Sequence, residues 1–218
     1  MHKVLVIGSV TSTALTIEQL VRHQFEVVGV LGYEPAHQNT PVSGWYDLRK
    51  FALEQNIPYR PYQKINAAEH LEWATAAEPD VIFAVGFSQL LDSRWFRLPR
   101  YGCIGFHPTR LPRGRGRAPL AWINLIEREG AATFFLMGAG ADDGPLFVQE
   151  PFQLNPDDDA ESTRTLLLEA MQKALERWLP QLKQGVWNPV PQNDNEATYY
   201  GKRAPSDGLL RWTDFSAH

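Results

Sequence analysis

KVLVIGSVTSTALTIEQLVRHQFEVVGVLG, residues 3–32, decides the fold. Its first part, Lys3–Ser9, is a short continuous apolar run that closes on Gly8. A strand with one wet face alternates apolar and polar residues, so an unbroken run predicts a strand buried on both faces. Thr13–His23 then carries Ala14, Leu15, Ile17, Leu20 and Val21 at helical spacing. Phe25–Gly32 is a second unbroken apolar run. Strand, helix and strand in this order form a βαβ unit, which requires a parallel sheet and a right-handed crossover.

The same pattern extends outward along the chain. Tyr33–Gly44 is polar and proline-containing, so it reads as a loop. Trp45–Gln55 has an amphipathic helical pattern, IPYRPY (57–62) is extended, and Ala67–Ala77 is helical. Pro79–Gly86 and Cys103–His107 are two further strands. Pro119–Glu129 reads as a helix, and Ala132–Met137 and Pro145–Leu154 as strands joined by GAGADDG. Asp159–Gln184 is the longest helical pattern. The expected fold class is α/β: an open, mostly parallel twisted sheet with helices on both faces, followed by a short irregular C-terminal segment. The expected division is a core over residues 1–184 and an extension over 185–218 that packs on the core or on a dimer partner. Sites in such sheets lie beyond the carboxyl ends of the strands.

Composition narrows the function. Apolar residues make up 44% of the 218, enough for a full core. Lys plus Arg number 21 against 25 Asp plus Glu, a net charge of -4, which offers no electrostatic case for nucleic acid or a membrane surface. One cysteine, Cys103, fits a reducing compartment, and its apolar run marks it as a buried hydrophobe rather than a nucleophile. The start, MHKVLVIGSV, enters a strand directly without an apolar leader, so a cytoplasmic protein is expected. The first βα turn, GSVTST, lacks the glycines of a dinucleotide fingerprint and the lysine of a phosphate loop. Thr11, Ser12 or Thr13 is expected to cap the helix that follows. The histidines other than His107 are scattered without ligand spacing, so no metal is expected.

The chemistry concentrates in IGFHPTRLPRGRGRAPLAW, residues 104–122. Pro108 forces His107 into an extended backbone and ends the strand there, at the edge where α/β sites form. Glycines in the following run permit close backbone approach to a ligand, and Arg113, Arg115 and Arg117 are suited to phosphate or carboxylate unless the loop is merely solvated. In GAGADDG, Asp143-Gly144 has turn chemistry, which leaves Asp142 as the candidate partner for His107. A carboxylate beside an imidazole holds its tautomer and raises its pKa.

Four segments together resemble the folate-dependent formyltransferase family, most closely its sugar N-formyltransferases. They are AVGFSQLL (84–91), GCIGFHPTRLPRGRGRAPLAW (102–122), TFFLMGAGADDGPLFVQ (133–149) and ATYYGKRAPSDGLLRW (197–212). The resemblance implies a Rossmann-like formyltransferase core and 10-formyltetrahydrofolate as co-substrate, without a metal. It implies His107 as the group that stabilises the oxyanion, supported by Asp142. It places Phe87, Ser88, Gln89, Leu90 and Leu91 on one side of the folate, with Met137, Gly138, Ala139 and Gly140 on the other. Thr109, Arg113, Arg115, Arg117, Tyr200, Lys202 and Arg203 are then candidates for a nucleotide-linked amino sugar of the 4-amino-4,6-dideoxy type, with Tyr199 and Trp212 able to contact the base or sugar or to anchor the tail. A homodimer is implied, and no nucleic-acid or membrane partner.

Two positions depart from the family pattern. Gly105 stands where the family carries the asparagine of Asn-x-His, so a side-chain oxyanion donor is missing, and Gly138 stands where an aspartate often opens the turn. A tRNA-acting member would carry a further C-terminal barrel, which this sequence does not include; unless the C-terminus is truncated, tRNA is not the expected acceptor, and the acidic balance does not suit it. A glycinamide ribonucleotide enzyme would show a glycine-rich first loop. Acceptors other than a sugar, or an inactive homologue that binds folate or a sugar nucleotide, stay open at this stage.

Overall fold

A computed structural model describes residues 3–35 and 44–209. The elements run in chain order β1 (Lys3–Gly8), α1 (Thr11–Arg22), β2 (Glu26–Tyr33), α2 (Leu48–Glu54), β3 (Tyr59–Tyr62), α3 (Ala68–Ala76), β4 (Val81–Ala84), α4 (Ser93–Arg97) and β5 (Cys103–His107). Then come β6 (Arg115–Gly116), α5 (Pro119–Trp122), β7 (Glu129–Leu136), β8 (Leu146–Gln153), α6 (Ala160–Lys183) and β9 (Tyr199–Tyr200). Seven strands form one sheet in the order β3-β2-β1-β4-β5-β7-β8. The first five are parallel, whereas β5–β7 and β7–β8 are antiparallel. This is the α/β, mostly parallel sheet that residues 3–32 predict.

Both faces of the sheet are covered, which explains the unbroken apolar strands. Side chains alternate along a strand. Val4 and Val6 therefore join a core with Ile17 and Leu20 of α1 and with Met171, Leu175 and Trp178 of α6. Leu5 and Ile7 face the opposite core, with Leu31, Ile82, Cys103 and Trp95. Helix α6 begins where Asp159 Oδ1 accepts the backbone N–H groups of Glu161 and Ser162, both at 2.9 Å. Thr13 ties the start of α1 to β4: its hydroxyl donates to the Val85 carbonyl at 2.7 Å and accepts from the Ser9 and Val10 N–H groups.

Two helices differ from the sequence reading, and the short strands β6 and β9 fall in stretches read as loop and as irregular. The helix expected over Pro119–Glu129 is four α-helical residues followed by a π-helical turn, Ile123–Glu127. Arg128 then adopts a left-handed backbone at φ 56°, which releases Glu129 to pair with Gln153 on β8. Only Ile123 of the π-helical turn is buried, so packing on the core does not hold this stretch in a regular helix. Helix α4, read as part of no element from sequence, is a single capped turn in which Asp92 Oδ1 accepts from the Arg94 N–H at 2.9 Å.

The chain from Gly185 to Val190 returns along the antiparallel side of the sheet. Trp187 packs against Tyr101 and Phe147, and Val190 pairs with Leu146. No helix among the described residues is long and apolar enough to cross a membrane.

Candidate active site

Strand β5 carries His107 to the carboxyl end of the sheet, and Pro108 ends the strand there. The residue is 5% exposed. Its Nε2 lies 2.8 Å from the Gly114 carbonyl oxygen. A carbonyl only accepts, so Nε2 carries the hydrogen. The other ring nitrogen, Nδ1, is 3.5 Å from Asp142 Oδ2. That separation is wider than an ordinary N–H···O bond, so the two atoms face each other across a gap rather than closing on one another. Burial pushes the His107 pKa below its ordinary value, against the Asp142 carboxylate and the Gly114 carbonyl, which pull it upward. The net direction leaves a neutral imidazole with its lone pair on Nδ1.

Asp142 sits in the β7–β8 turn with a left-handed backbone at φ 54°, a conformation that Asp tolerates better than most side chains. Its Oδ2 also accepts the Gly116 N–H at 2.9 Å. The sequence reading pairs Asp142 with His107, and the structure brings the two together.

Residues 113–117 close over this pair. Gly114 N–H donates to Thr198 Oγ1 at 2.8 Å, Arg115 N–H to the Thr198 carbonyl at 2.9 Å, and Arg117 N–H to the Tyr200 carbonyl at 3.1 Å. Strands β6 and β9 therefore form a second, two-stranded parallel sheet above the site. Glycine is required here. Gly114 has φ 73° and Gly116 φ 105°, and a Cβ at either would lie 2.6 Å from an atom of Tyr200. Thr109 completes the floor: its hydroxyl donates to the Gly114 carbonyl at 3.3 Å, and its own carbonyl accepts from Thr133 at 2.7 Å.

The arginines do not act as one group. Arg115, expected to face a ligand or solvent, is 2% exposed and engaged within the protein. Its guanidinium donates to Gln192 Oε1, to Asp194 Oδ1 at 2.7 Å and to the Tyr199 hydroxyl at 3.1 Å. A guanidinium removed from water needs acceptors, and the C-terminal segment supplies them to Nε, Nη1 and Nη2. As placed, Arg115 is a structural anchor and not a ligand-facing cation. Arg113 and Arg117 are exposed. Arg113 lines a cavity of about 480 Å³ with Glu127, Asn195, Glu196, Ala197 and Thr198. Tyr200 stacks on Trp122 with ring centroids 5.8 Å apart, and burial together with Glu127 raises its phenol pKa. Arg203 lies 5.2 Å over the same Trp122 ring, and Lys202 is exposed. Trp212 lies outside the described residues.

The two expected folate segments converge partly. Strand β4 neighbours β5 with Ala84 opposite Gly105, so Phe87 and His107 leave the same sheet edge. Phe87 and Met137 pack against one apolar cluster. Gln89, however, serves the backbone: it accepts from the Ile65 N–H at 3.0 Å and donates to the Gln63 carbonyl at 2.6 Å. Leu91 is buried, Leu90 is 87% exposed, and Ser88, Gly138, Ala139 and Gly140 are exposed. Cys103 is buried, its thiol pushed up to about 12 by burial, which leaves it no thiolate for chemistry.

Gly105 has a packing reason. A Cβ there would lie 2.8 Å from both Met137 Cγ and Phe135 Cζ. The space that a larger side chain would need is filled by those two residues.

Sequence reasoning did not find Gln192, Asp194 and Thr198 as site-building residues. They lie in an irregular, polar stretch with no periodicity, and only their partners reveal them.

A family model described as formyl transferase matches residues 2–179. A methionyl-tRNA formyltransferase of Trichlorobacter lovleyi is 31% identical over 166 residues, 76% of this chain and 52% of that protein. That of Geobacter metallireducens is 32% identical over 166 residues, 76% of this chain and 53% of its own. The chain thus spans about half the length of the curated relatives it matches. Among solved structures, an N-formyltransferase of Helicobacter canadensis, in complex with folinic acid and dTDP-3-aminofucose, superposes with TM-score 0.72 at 17% identity, covering 92% of this chain and 71% of that one. A phosphoribosylglycinamide formyltransferase of Anaplasma phagocytophilum gives TM-score 0.70 at 17% identity, covering 91% and 97%. At such identity these two structures speak to the fold alone.

Proposed function

The chain belongs to the formyl transferase family, and on that premise we propose that it moves a formyl group from 10-formyltetrahydrofolate to the amino group of a nucleotide-linked amino sugar. The observation that carries the chemistry is the neutral His107, its Nε2–H held by the Gly114 carbonyl and its Nδ1 lone pair turned toward Asp142. In this reading the acceptor nitrogen attacks the formyl carbon, and the carbonyl electron pair moves to the oxygen. Nδ1 of His107 takes the proton that the attacking nitrogen sheds. Asp142 then faces an imidazolium and stabilises it, and the positive charge of that imidazolium in turn stabilises the oxyanion. Collapse of the intermediate breaks the carbon–nitrogen bond to folate, and the departing nitrogen receives the proton from Nδ1. General acid–base assistance of this kind contributes about 10²–10⁴-fold.

With Gly105 in place of an asparagine, the oxyanion lacks one side-chain donor, which in comparable sites costs about 10²–10³-fold in rate. The reading therefore assigns more of that work to the His107–Asp142 pair. The folate lies against Phe87 and Met137, flanked by Ser88, Leu90, Leu91, Gly138, Ala139 and Gly140, with Gln89 shaping the pocket through its backbone contacts. The acceptor occupies the Arg113 cavity, while Thr109, buried and bonded to the Gly114 carbonyl, supports the loop rather than touching the acceptor. Arg113, Arg117, Lys202 and Arg203 supply cations for a diphosphate, and the Trp122–Tyr200 stack supplies an aromatic face for a base. A homodimer in a cytoplasmic setting belongs to the same reading, as do the core over 1–184 and the extension over 185–218.

A second acceptor has its own support. The curated relatives named above act, by their names, on methionyl-tRNA, although a net charge of -4 is poorly matched to a polyanion. One experiment separates these readings: incubation with 10-formyltetrahydrofolate and, in parallel, UDP-, dTDP- and GDP-linked 4-amino sugars, glycinamide ribonucleotide and charged initiator tRNA, read by mass spectrometry. Gain of one formyl group on a sugar is the expected result. Formylation of the tRNA alone replaces the sugar reading, and product with no amine, despite folate binding, removes the transferase reading.

A further inference from the structure

Gln192 lies in the irregular C-terminal segment, 50 residues beyond Asp142, and plays no part in the steps above. Its amide nevertheless joins both halves of the site. Oε1 accepts from Arg115 Nε at 3.2 Å and Nη2 at 2.9 Å. Nε2 donates to the Asp142 carbonyl at 2.8 Å and to the Gly144 carbonyl at 2.7 Å. A carboxamide has two acceptor and two donor positions, and all four are filled. The network also determines its orientation. Turned over, the NH₂ group would meet the guanidinium and the oxygen would meet two carbonyls.

The residues on either side of this bridge are those that set the state of His107. Arg115 lies between Gly114, whose carbonyl holds Nε2–H, and Gly116, whose N–H holds the Asp142 carboxylate. We propose that Gln192 is a positioning residue that locks the 113–117 loop to the Asp142 turn and so fixes the tautomer and orientation of His107 for the reaction. The proposal rests on the transferase reading for its catalytic consequence, but not for its structural one. In an active site a displacement of about 1 Å can cost about 10²-fold in rate.

Two variants test it in the full chain. Gln192→Glu keeps both acceptors for Arg115, and so keeps the tail attached, but confronts the Asp142 and Gly144 carbonyls with an anion. Gln192→Met removes both sets of contacts at similar length. The ring nitrogens of His107 are followed by ¹⁵N NMR and the Gly116 amide by hydrogen exchange, alongside kcat and KM for the folate. The expected result in both variants is loss of the single Nε2–H tautomer, faster exchange at Gly116, and kcat about 10–100-fold lower with KM changed less than about threefold. If Gln192→Met unfolds the segment, Gln192→Glu alone decides. An unchanged tautomer and unchanged Gly116 exchange in the folded variant overturn the proposal, whatever the activity. An altered tautomer in a protein whose His107→Ala variant transfers formyl groups normally would uphold the lock and instead overturn the catalytic role given to His107.

Discussion

His107 takes its protonation state from geometry. The Gly114 carbonyl dictates which nitrogen carries hydrogen, and burial keeps the second nitrogen unprotonated. His107→Ala and Asp142→Ala are expected to fold, since neither side chain fills a hydrophobic core, and to lose about 10²–10⁴-fold in formyl transfer. Unimpaired single-turnover formation of tetrahydrofolate by either variant would refute these roles. Two positions before the histidine, Gly105→Asn returns the family's asparagine to the sequence but not to the space. With Phe135 and Met137 already within 2.8 Å of the Cβ position, overpacking is expected to lower stability by about 1–3 kcal/mol without raising kcat. Urea titration together with turnover measures both quantities, and a stable, faster variant would contradict this account of the glycine.

At the level of elements, the short β6 strand exists only because β9 pairs with it. Two residues rarely pair alone, and here Arg115 reinforces them from the side. Gly116→Ala places a methyl group 2.6 Å from the Tyr200 carbonyl oxygen at φ 105°, so β6 and β9 cannot keep their pairing. The Gly116 N–H that holds Asp142 moves with them. The expected outcome is at least about a tenfold loss of kcat, with destabilisation of about 1–3 kcal/mol from the unfavourable backbone and the clash. Helix α6 depends instead on size. Trp178 meets Phe83, Phe134 and Phe147 with ring centroids 6.0, 5.7 and 5.1 Å away, which fastens the helix across β4, β7 and β8.

For the molecule as a whole, two buried histidines couple stability to pH. Burial lowers the pKa of His107 and of His70 below the ordinary 6.5. The unfolded chain therefore binds protons at these sites before the folded chain does. Stability from keeping the rings neutral is complete above about pH 6.5 and declines as pH falls through that value toward the lower folded-state pKa. The melting temperature is expected to be level near pH 7–8 and to drop below pH 6.5, with a shallower drop in His107→Gln. A melting temperature that rises on acidification through this window would show that the rings are charged in the folded state.

The sequence by itself determined the sheet, its two covered faces and the chain position of the chemistry. Unbroken apolar runs such as Lys3–Ser9 leave no wet face, and periodicity is a local property that needs no knowledge of distant residues. Pro108 marked the end of β5 for the same local reason. The pairing of His107 with Asp142 was a candidate in the sequence and became a distance only when β7 doubled back beside β5. The fate of Arg115 was not legible, because three arginines in a glycine-rich run look alike until their partners are known. The tertiary structure alone decided that one is buried against Gln192, Asp194 and Tyr199 while Arg113 and Arg117 stay exposed. Nor could the sequence show why Gly105 is small, since the volume there is taken by Phe135 and Met137 from the neighbouring strand and turn. Hydrogen-bond satisfaction and close packing are properties of atoms far apart in the chain, and only the folded molecule brings them into contact.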